Sequence, residues 1–549
     1  MAERYLAVFS VGPVQSFIAS ARKTEDLWSG SYILSHLVRA AIYKLYLHEE
    51  SFQLLFPLVT KDEIENPRKD NIHIASLPNR FTATLSGSLA EVEDRLNSAQ
   101  AEVKEEFFEM FETAVDLLFP GFAAEEKDVL LDIGKKQIES LLEIYWVLEP
   151  FPDDAQFGQV RARAESLLAA VKNDKRFSQI EQQGLTCSVC HEREALSIYP
   201  FTETDAYADM KRKLAHTWKK RSPDFQRKNS DEEHARIKDN EYLCAICTVK
   251  RLARDCFKNI YDFSDKFKSF KSTHDIAGEK QGYYGVLMMD GDNMGRWFSG
   301  DKIEDYRNVS RRLANYSAET VPEILGKSER AMLVYAGGDD VLAFLPLEDA
   351  LDIAHQLRFA FSDEEKGLAE DATSSDALII AHKTAPLRNV LNEARRMESK
   401  AKSFKIRKRE QEKEEIVQEK DALAISVLTR SGERADTILP WRLGEEKTVE
   451  ILQTIIHLLK DKLSDTFIYR FIDAFYPLID INNSEYKVCE KWVGTELKRL
   501  LKRSAKSPLS EEELEKSVEA FISFYQNVPS TMDFIYTLKI LSFFKRKEV

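Results

Sequence analysis

The stretch YAGGDDVLAFLP, residues 335–346, carries two glycines straight into two aspartates, with apolar strand-like residues on both sides. The pattern predicts a tight β-hairpin, in which Gly337 and Gly338 supply the turn and leave the backbone open to a ligand. Adjacent carboxylates repel, so a fold that holds Asp339 and Asp340 side by side is expected to place something positive between them.

Upstream, YYGVLMMD at 283–290 is a continuous apolar run of strand length. A helical pattern near 303–326 separates it from the hairpin, and another helix is expected over 348–361. ALIIAH at 377–382 reads as a further buried strand, EARRMESKAKSFKIRKREQEKEE at 393–415 as a charged helix, and AISVLTR at 424–430 as a closing strand. This β-α-β-β-α-β order is the ferredoxin-like unit. In that unit the first strand lies beside the hairpin, so Asp290 is expected to meet Asp339 and Asp340 at one end of the sheet. The bland reading is a merely polar turn. The second acid pair, Asp290-Gly291-Asp292, argues against it. Three carboxylates meeting with no visible partner suit Mg²⁺ or Mn²⁺, which take oxygen ligands and keep substrate phosphates in their shell. Two such ions could activate an attacking hydroxyl and stabilise a leaving pyrophosphate.

At 549 residues the chain is long enough for several domains. No run approaches the ~20 apolar residues of a membrane helix, and the N-terminus does not read as a signal peptide, so the cytoplasm is the expected location. The net charge of −14 excludes a surface that is basic throughout, although local phosphate-binding patches remain open at 211–221, 402–409 and 497–503. Residues 1–185 alternate strands and helices: a strand at RYLAVFSV, a helical pattern over 14–46, strand–turn–strand at 71–87, a long helix from Leu89 to about Leu118, and a strand near 144–151. An α+β sandwich is expected there. After Trp441 the periodicity is almost wholly helical, as in a bundle.

Cys187-Ser-Val-Cys190 and Cys244-Ala-Ile-Cys247 have the paired spacing of a four-thiolate zinc site, with a redox pair as the rival reading. The gap of about fifty residues between the pairs exceeds the ~15–20 of a compact ribbon and implies an inserted helical segment. Such a site is coordinatively closed and would hold the fold rather than do chemistry. Cys256 and Cys489 are expected to be buried apolar residues.

YAGGDDVLAF together with MDGDNMG resembles the palm domain of nucleotide cyclases and of the large subunit of type III CRISPR effectors, although the cyclase turn GGDEF is GGDDV here. SVGPVQSFIASARKTEDLWSGSYILS at 10–35 and SLPNRF at 76–81 are similar to the III-B form of that subunit, the large protein of the Cmr complex. The resemblance implies two ferredoxin-like palm domains, a zinc-binding insertion and a C-terminal helical bundle. Residues 1–185 would be a degenerate palm without its own GGDD, 186–260 the zinc insertion, 261–440 the catalytic palm and 441–549 the helical domain. It further implies that Asp290, with the carbonyl of Gly291, holds a metal ion, that Asp339 and Asp340 complete the site, and that Asp292 is the second acid of the motif. ARRMESKAK at 394–402 would bring Lys402 to a triphosphate.

The implied reaction is condensation of ATP into cyclic oligoadenylates, switched on by target RNA within a complex of guide RNA and other Cmr subunits. The second ATP would lie against residues 1–185, along Ser10 to Ser35. AMP transfer to another acceptor such as S-adenosylmethionine would use the same metal chemistry, and a non-catalytic scaffold anchoring the guide RNA 5′ end is a reading from a different class. The chain starts directly at the palm-like strand, so an HD nuclease domain and DNA cleavage are not expected. The dipeptide His274-Asp275 reads as incidental.

Overall fold

The computed structural model describes residues 3–48, 51–65, 74–174, 182–225, 236–258, 270–410, 413–464, 466–479 and 486–547. They form two compact units. One comprises residues 1–270, 294–318 and 334–338, and the other 271–293, 319–333 and 339–549.

The first unit is built on an antiparallel sheet of β1 (Glu3–Gly12), β2 (Phe52–Phe56), β3 (Arg80–Gly87) and β4 (Glu143–Pro150), ordered β2-β3-β1-β4. β1 is central because Tyr5 to Val11 are all apolar or small and buried. Helices Thr24–Tyr46 and Leu89–Leu118 close one face; the second buries residues recurring at three and four, while the first is buried all round from Asp26 to Val38. Ser88 and Glu91 start the longer one with a reciprocal cap. The helical pattern over 14–46 divides into Gln15–Ala19 and Thr24–Tyr46, since Asp26 Oδ2 accepts the amides of Arg22 and Lys23 and begins a new helix there. Of the strand–turn–strand expected over 71–87, the second strand forms, and among the described residues of the first no strand is seen. Residues 71–73 lie outside the described residues, 74–79 run as coil, and the sheet position is taken by β2.

The second sheet contains β5 (Tyr283–Gly291), β6 (Met332–Gly337), β7 (Asp340–Pro346) and β8 (Ser374–His382). The charged segment expected as one helix ends as a helix at Lys402. It continues as a ribbon of β9 (Lys405–Glu410) and β10 (Lys413–Glu419). In that ribbon the backbone register sets Arg409 opposite Glu414 and Lys408 opposite Glu415. β11 (Ala422–Leu428) and β12 (Arg434–Pro440) complete the sheet, ordered β12-β11-β8-β5-β7-β6. Both sheets therefore carry the 4-1-3-2 strand order of the ferredoxin-like unit, the second extended by two strands at one edge.

From Thr448 the chain is helical, with helices Thr448–His457, Thr466–Phe475, Glu490–Ser504, Glu511–Asn527 and Thr531–Lys547. Among the described residues no helix is long and apolar enough to cross a membrane. Cys256 is buried, as expected, but Cys489 is exposed because it precedes the surface helix Glu490–Ser504 as its N-cap.

Candidate functional site

Strand register brings the acids together. β5 and β7 pair antiparallel from Tyr284 opposite Pro346 to Met289 opposite Val341, and one further step puts Asp290 opposite Asp340. Opposed residues of such a pair have Cβ atoms about 4.5–5.5 Å apart. A carboxylate oxygen from each of Asp290, Asp339 and Asp340 accordingly lies within 4.8 Å of the others. Gly338 has φ +72° and turns the chain, while a Cβ on Gly337 would overlap the Tyr335 ring. Crowding by surrounding protein, then the charges of Asp339, Asp290 and Glu398, raise the Asp340 carboxyl well above the ordinary range, although its side chain still reaches solvent. Three converging oxygens under that mutual repulsion are a donor set that fits a hard divalent cation.

Lys402, the last residue of helix Leu387–Lys402, extends into the same place. Its Nζ donates to the Gly291 carbonyl at 2.6 Å and lies 3.0 Å from Asp290 Oδ1 and 3.3 Å from Asp292 Oδ1. Burial alone would lower this ammonium, but Asp290 and Asp292 outweigh it and hold the group above its usual range. Asp292 points inward and is 1% exposed. Its oxygens accept from Ser375 Oγ at 2.9 Å, Thr373 Oγ1 at 2.9 Å and the Asp421 amide at 3.0 Å. It stands outside the three-acid group and anchors Lys402 from below. Glu398, one turn before Lys402 on the same helix face, is a fourth acid that the sequence reading missed. Burial and its hydrogen bond and charge contact with Asp290 push it up to about 7. The signal was its i,i+4 spacing from Lys402.

Cys187, Cys190, Cys244 and Cys247 are all buried, with their sulfurs within 4.8 Å of one another. The amides of Val189 and Cys247 donate to the sulfurs of Cys187 and Cys244, each at 3.4 Å. Four converging sulfurs that accept backbone amides fit zinc binding. Stripping the ion with a chelator is expected to lower the melting temperature by about 10 °C or more, because binding energy at such a site is folding energy. Calorimetry with zinc analysis checks this, and an unchanged melting curve in zinc-free protein would refute it.

Helix Tyr207–Lys219 and helix Glu490–Ser504 carry two of the three basic patches, and the third runs from Lys402 into β9. The side chains of 407–409 lie outside the described residues. His274-Asp275 has a local explanation. Asp275 and Ser272 cap the helix Thr273–Gln281, with the Ser272 amide donating to Asp275 Oδ2 at 2.7 Å.

Two family models match: "Cas10/Cmr2, second palm domain" over residues 283–413, and "CRISPR-associated protein Cmr2, N-terminal" over residues 6–115. The CRISPR system Cmr subunit Cmr2 of Pyrococcus furiosus is 24% identical over 565 aligned residues. The match covers 78% of this chain but only 62% of that relative. Among solved structures, the chain is similar to a subunit of the Type III-B Cmr-beta assembly in its apo state. There the TM-score is 0.66 at 14% identity, covering 98% of this chain and 81% of the other. For the same assembly bound to cognate target RNA the TM-score is 0.63 at 13% identity, covering 98% and 83%. A Csm1–Csm4 cassette in complex with cA4 gives a TM-score of 0.50 at 13% identity, covering 98% and 70%. The residues from Asp290 to Lys402 all fall inside the match to the Cas10/Cmr2 second palm domain, and most of the first sheet's central strand falls inside the match to the Cmr2 N-terminal model.

Proposed function

We propose that this chain is the nucleotidyl-transfer subunit of a cytoplasmic type III-B CRISPR effector, joining ATP into cyclic oligoadenylates when partner subunits and guide RNA capture target RNA. The observation that carries the reading is the convergence of Asp290, Asp339, Asp340 and Lys402 at one end of a palm sheet. The cA4 bound to the Csm1–Csm4 relative supports the product class, and the RNA-bound Cmr-beta assembly supports the partners.

In this reading Asp290, Asp339 and Asp340 would hold Mg²⁺ or Mn²⁺, which would supply charge neutralisation and lower the pKa of an attacking 3′-hydroxyl. The hydroxyl attacks an α-phosphate and pyrophosphate leaves. Lys402 presents its ammonium to the phosphates while Asp292, fixed by three donors, holds that ammonium from the inner side. Gly337 and Gly338 let the triphosphate approach the backbone. Such a site works by positioning and electrostatics and needs no histidine base. Zinc at the four cysteines is structural.

Product analysis by mass spectrometry decides the matter. The assembled complex with target RNA, ATP and Mg²⁺ is expected to yield cyclic oligoadenylates. An adduct formed only when S-adenosylmethionine is added would replace the acceptor, and intact assembly without turnover would leave a scaffold.

A further inference from the structure

Residues 75–79 are a short coil without a strand ladder of their own, so side-chain and isolated backbone bonds must fix their course. Asn79 is tied to β1 twice: its carbonyl accepts the Val11 amide at 2.8 Å, and its Nδ2 donates to the Val11 carbonyl at 3.2 Å. The Leu77 amide donates to Ser35 Oγ at 3.1 Å, which pins the coil to helix Thr24–Tyr46. The Ala75 carbonyl accepts the Ala336 amide at 3.2 Å. Ala336 is the residue immediately before Gly337-Gly338. Ser35, Ala75, Leu77 and Ala336 are all buried, so water is no ready substitute for either bond. Ser76, Leu77 and Pro78 on one side and Gly338 on the other also line one cavity.

We propose that Ser35 is a positioning residue for the GGDD turn: through Leu77 and Ala75 it fixes the backbone at Ala336, and with it the glycine pair that leads into Asp339 and Asp340. The coil is then a brace, and SLPN serves it in two ways. Pro78 and Asn79 stop it sliding along β1, while the amide at 77 and the carbonyl at 75 face opposite neighbours. The effect on cation binding rests on the function proposed above. The effect on the backbone at Ala336 does not.

The test compares Ser35→Ala, Ser35→Thr and Val103→Ala in the full chain. Val103 is a fully buried core residue of helix Leu89–Leu118, so its truncation costs stability without touching the brace. Hydrogen exchange of peptides spanning 334–342 is expected to quicken about tenfold in Ser35→Ala, to recover in Ser35→Thr and to stay near wild type in Val103→Ala. Mn²⁺ affinity at the carboxylates is expected to follow the same order. Exchange in Ser35→Ala that matches wild type, or that rises equally in Val103→Ala, overturns the brace. If wild type binds no Mn²⁺, the proposed function fails while the exchange data still judge the brace.

Discussion

Replacing Asp339 and Asp340 together with asparagine is expected to cut nucleotide turnover by at least about 1,000-fold while leaving the protein as stable as before or slightly more so. Asparagine keeps the shape but removes the anionic oxygens, so a cation loses two of its three acids and the triphosphate its counter-charge. Stability should move the other way. The folded Asp340 holds its proton to higher pH than the unfolded chain, through crowding and the charges of Asp339, Asp290 and Glu398. The folded state therefore binds more protons than the unfolded one as pH climbs from the ordinary carboxylate range, and stability falls over that window. Glu398, raised to about 7, adds a contribution of the same sign. The double variant should lose much of this decline in metal-free buffer. Turnover by the assembled complex and melting curves against pH check both halves. A variant that retains turnover, or that melts early, speaks against the assignment.

The second large effect falls on folding. Arg251, 1% exposed, sends Nε to Asp26 Oδ1 at 2.7 Å and another nitrogen to Asp26 Oδ2 at 3.1 Å, with Glu241 at 3.2 Å. Arg251→Met would leave Asp26 and Glu241 buried without their guanidinium partner, a loss of about 3–5 kcal/mol. For a unit of this size that lowers the melting temperature by roughly 10 °C. Burial pushes Asp26 upward, but Arg251 outweighs it and holds the folded carboxyl below its usual value. Its contribution is therefore present above the unfolded pKa and lost as pH falls through the folded one. Arg251→Met should flatten that part of the acid limb, and adding Asp26→Asn should restore part of the stability. A single variant that melts with wild type would show the pair to be dispensable. The same Asp26 starts the helix that carries Ser35, and the neighbouring Lys250 donates to the Phe17 and Ser20 carbonyls at 2.6 and 2.7 Å. The cysteine-bearing segment thus holds the turn between helices Gln15–Ala19 and Thr24–Tyr46 in place.

What could be read from sequence was what is local or periodic. GGDD between two apolar runs announces its hairpin, and the run ending at Asp290 announces the strand beside it. Their convergence then follows from the strand order alone. The cysteine pairs declare themselves by spacing. The inward turn of Asp292 could not be read, because it depends on Thr373, Ser375 and Asp421, which lie some eighty and more positions away. Glu398 lies within a segment dense in charges of both signs, where one acid does not stand out. The coil at 74–79 looked like the end of a strand because its apolar residues are buried, yet they are buried by packing rather than by pairing. The ribbon at 405–419 failed for a similar reason. Its basic block followed by an acidic one suits a charged helix until the strand register is known.

The central claim is that Asp290 shares a cation with the GGDD acids. Calorimetric titration of the zinc-loaded full chain with Mn²⁺, wild type against Asp290→Asn, tests it most directly. The account expects saturable binding in the wild type and a loss of about tenfold or more in affinity in the variant, with zinc content and melting temperature unchanged. Equal Mn²⁺ binding by the two proteins would contradict it.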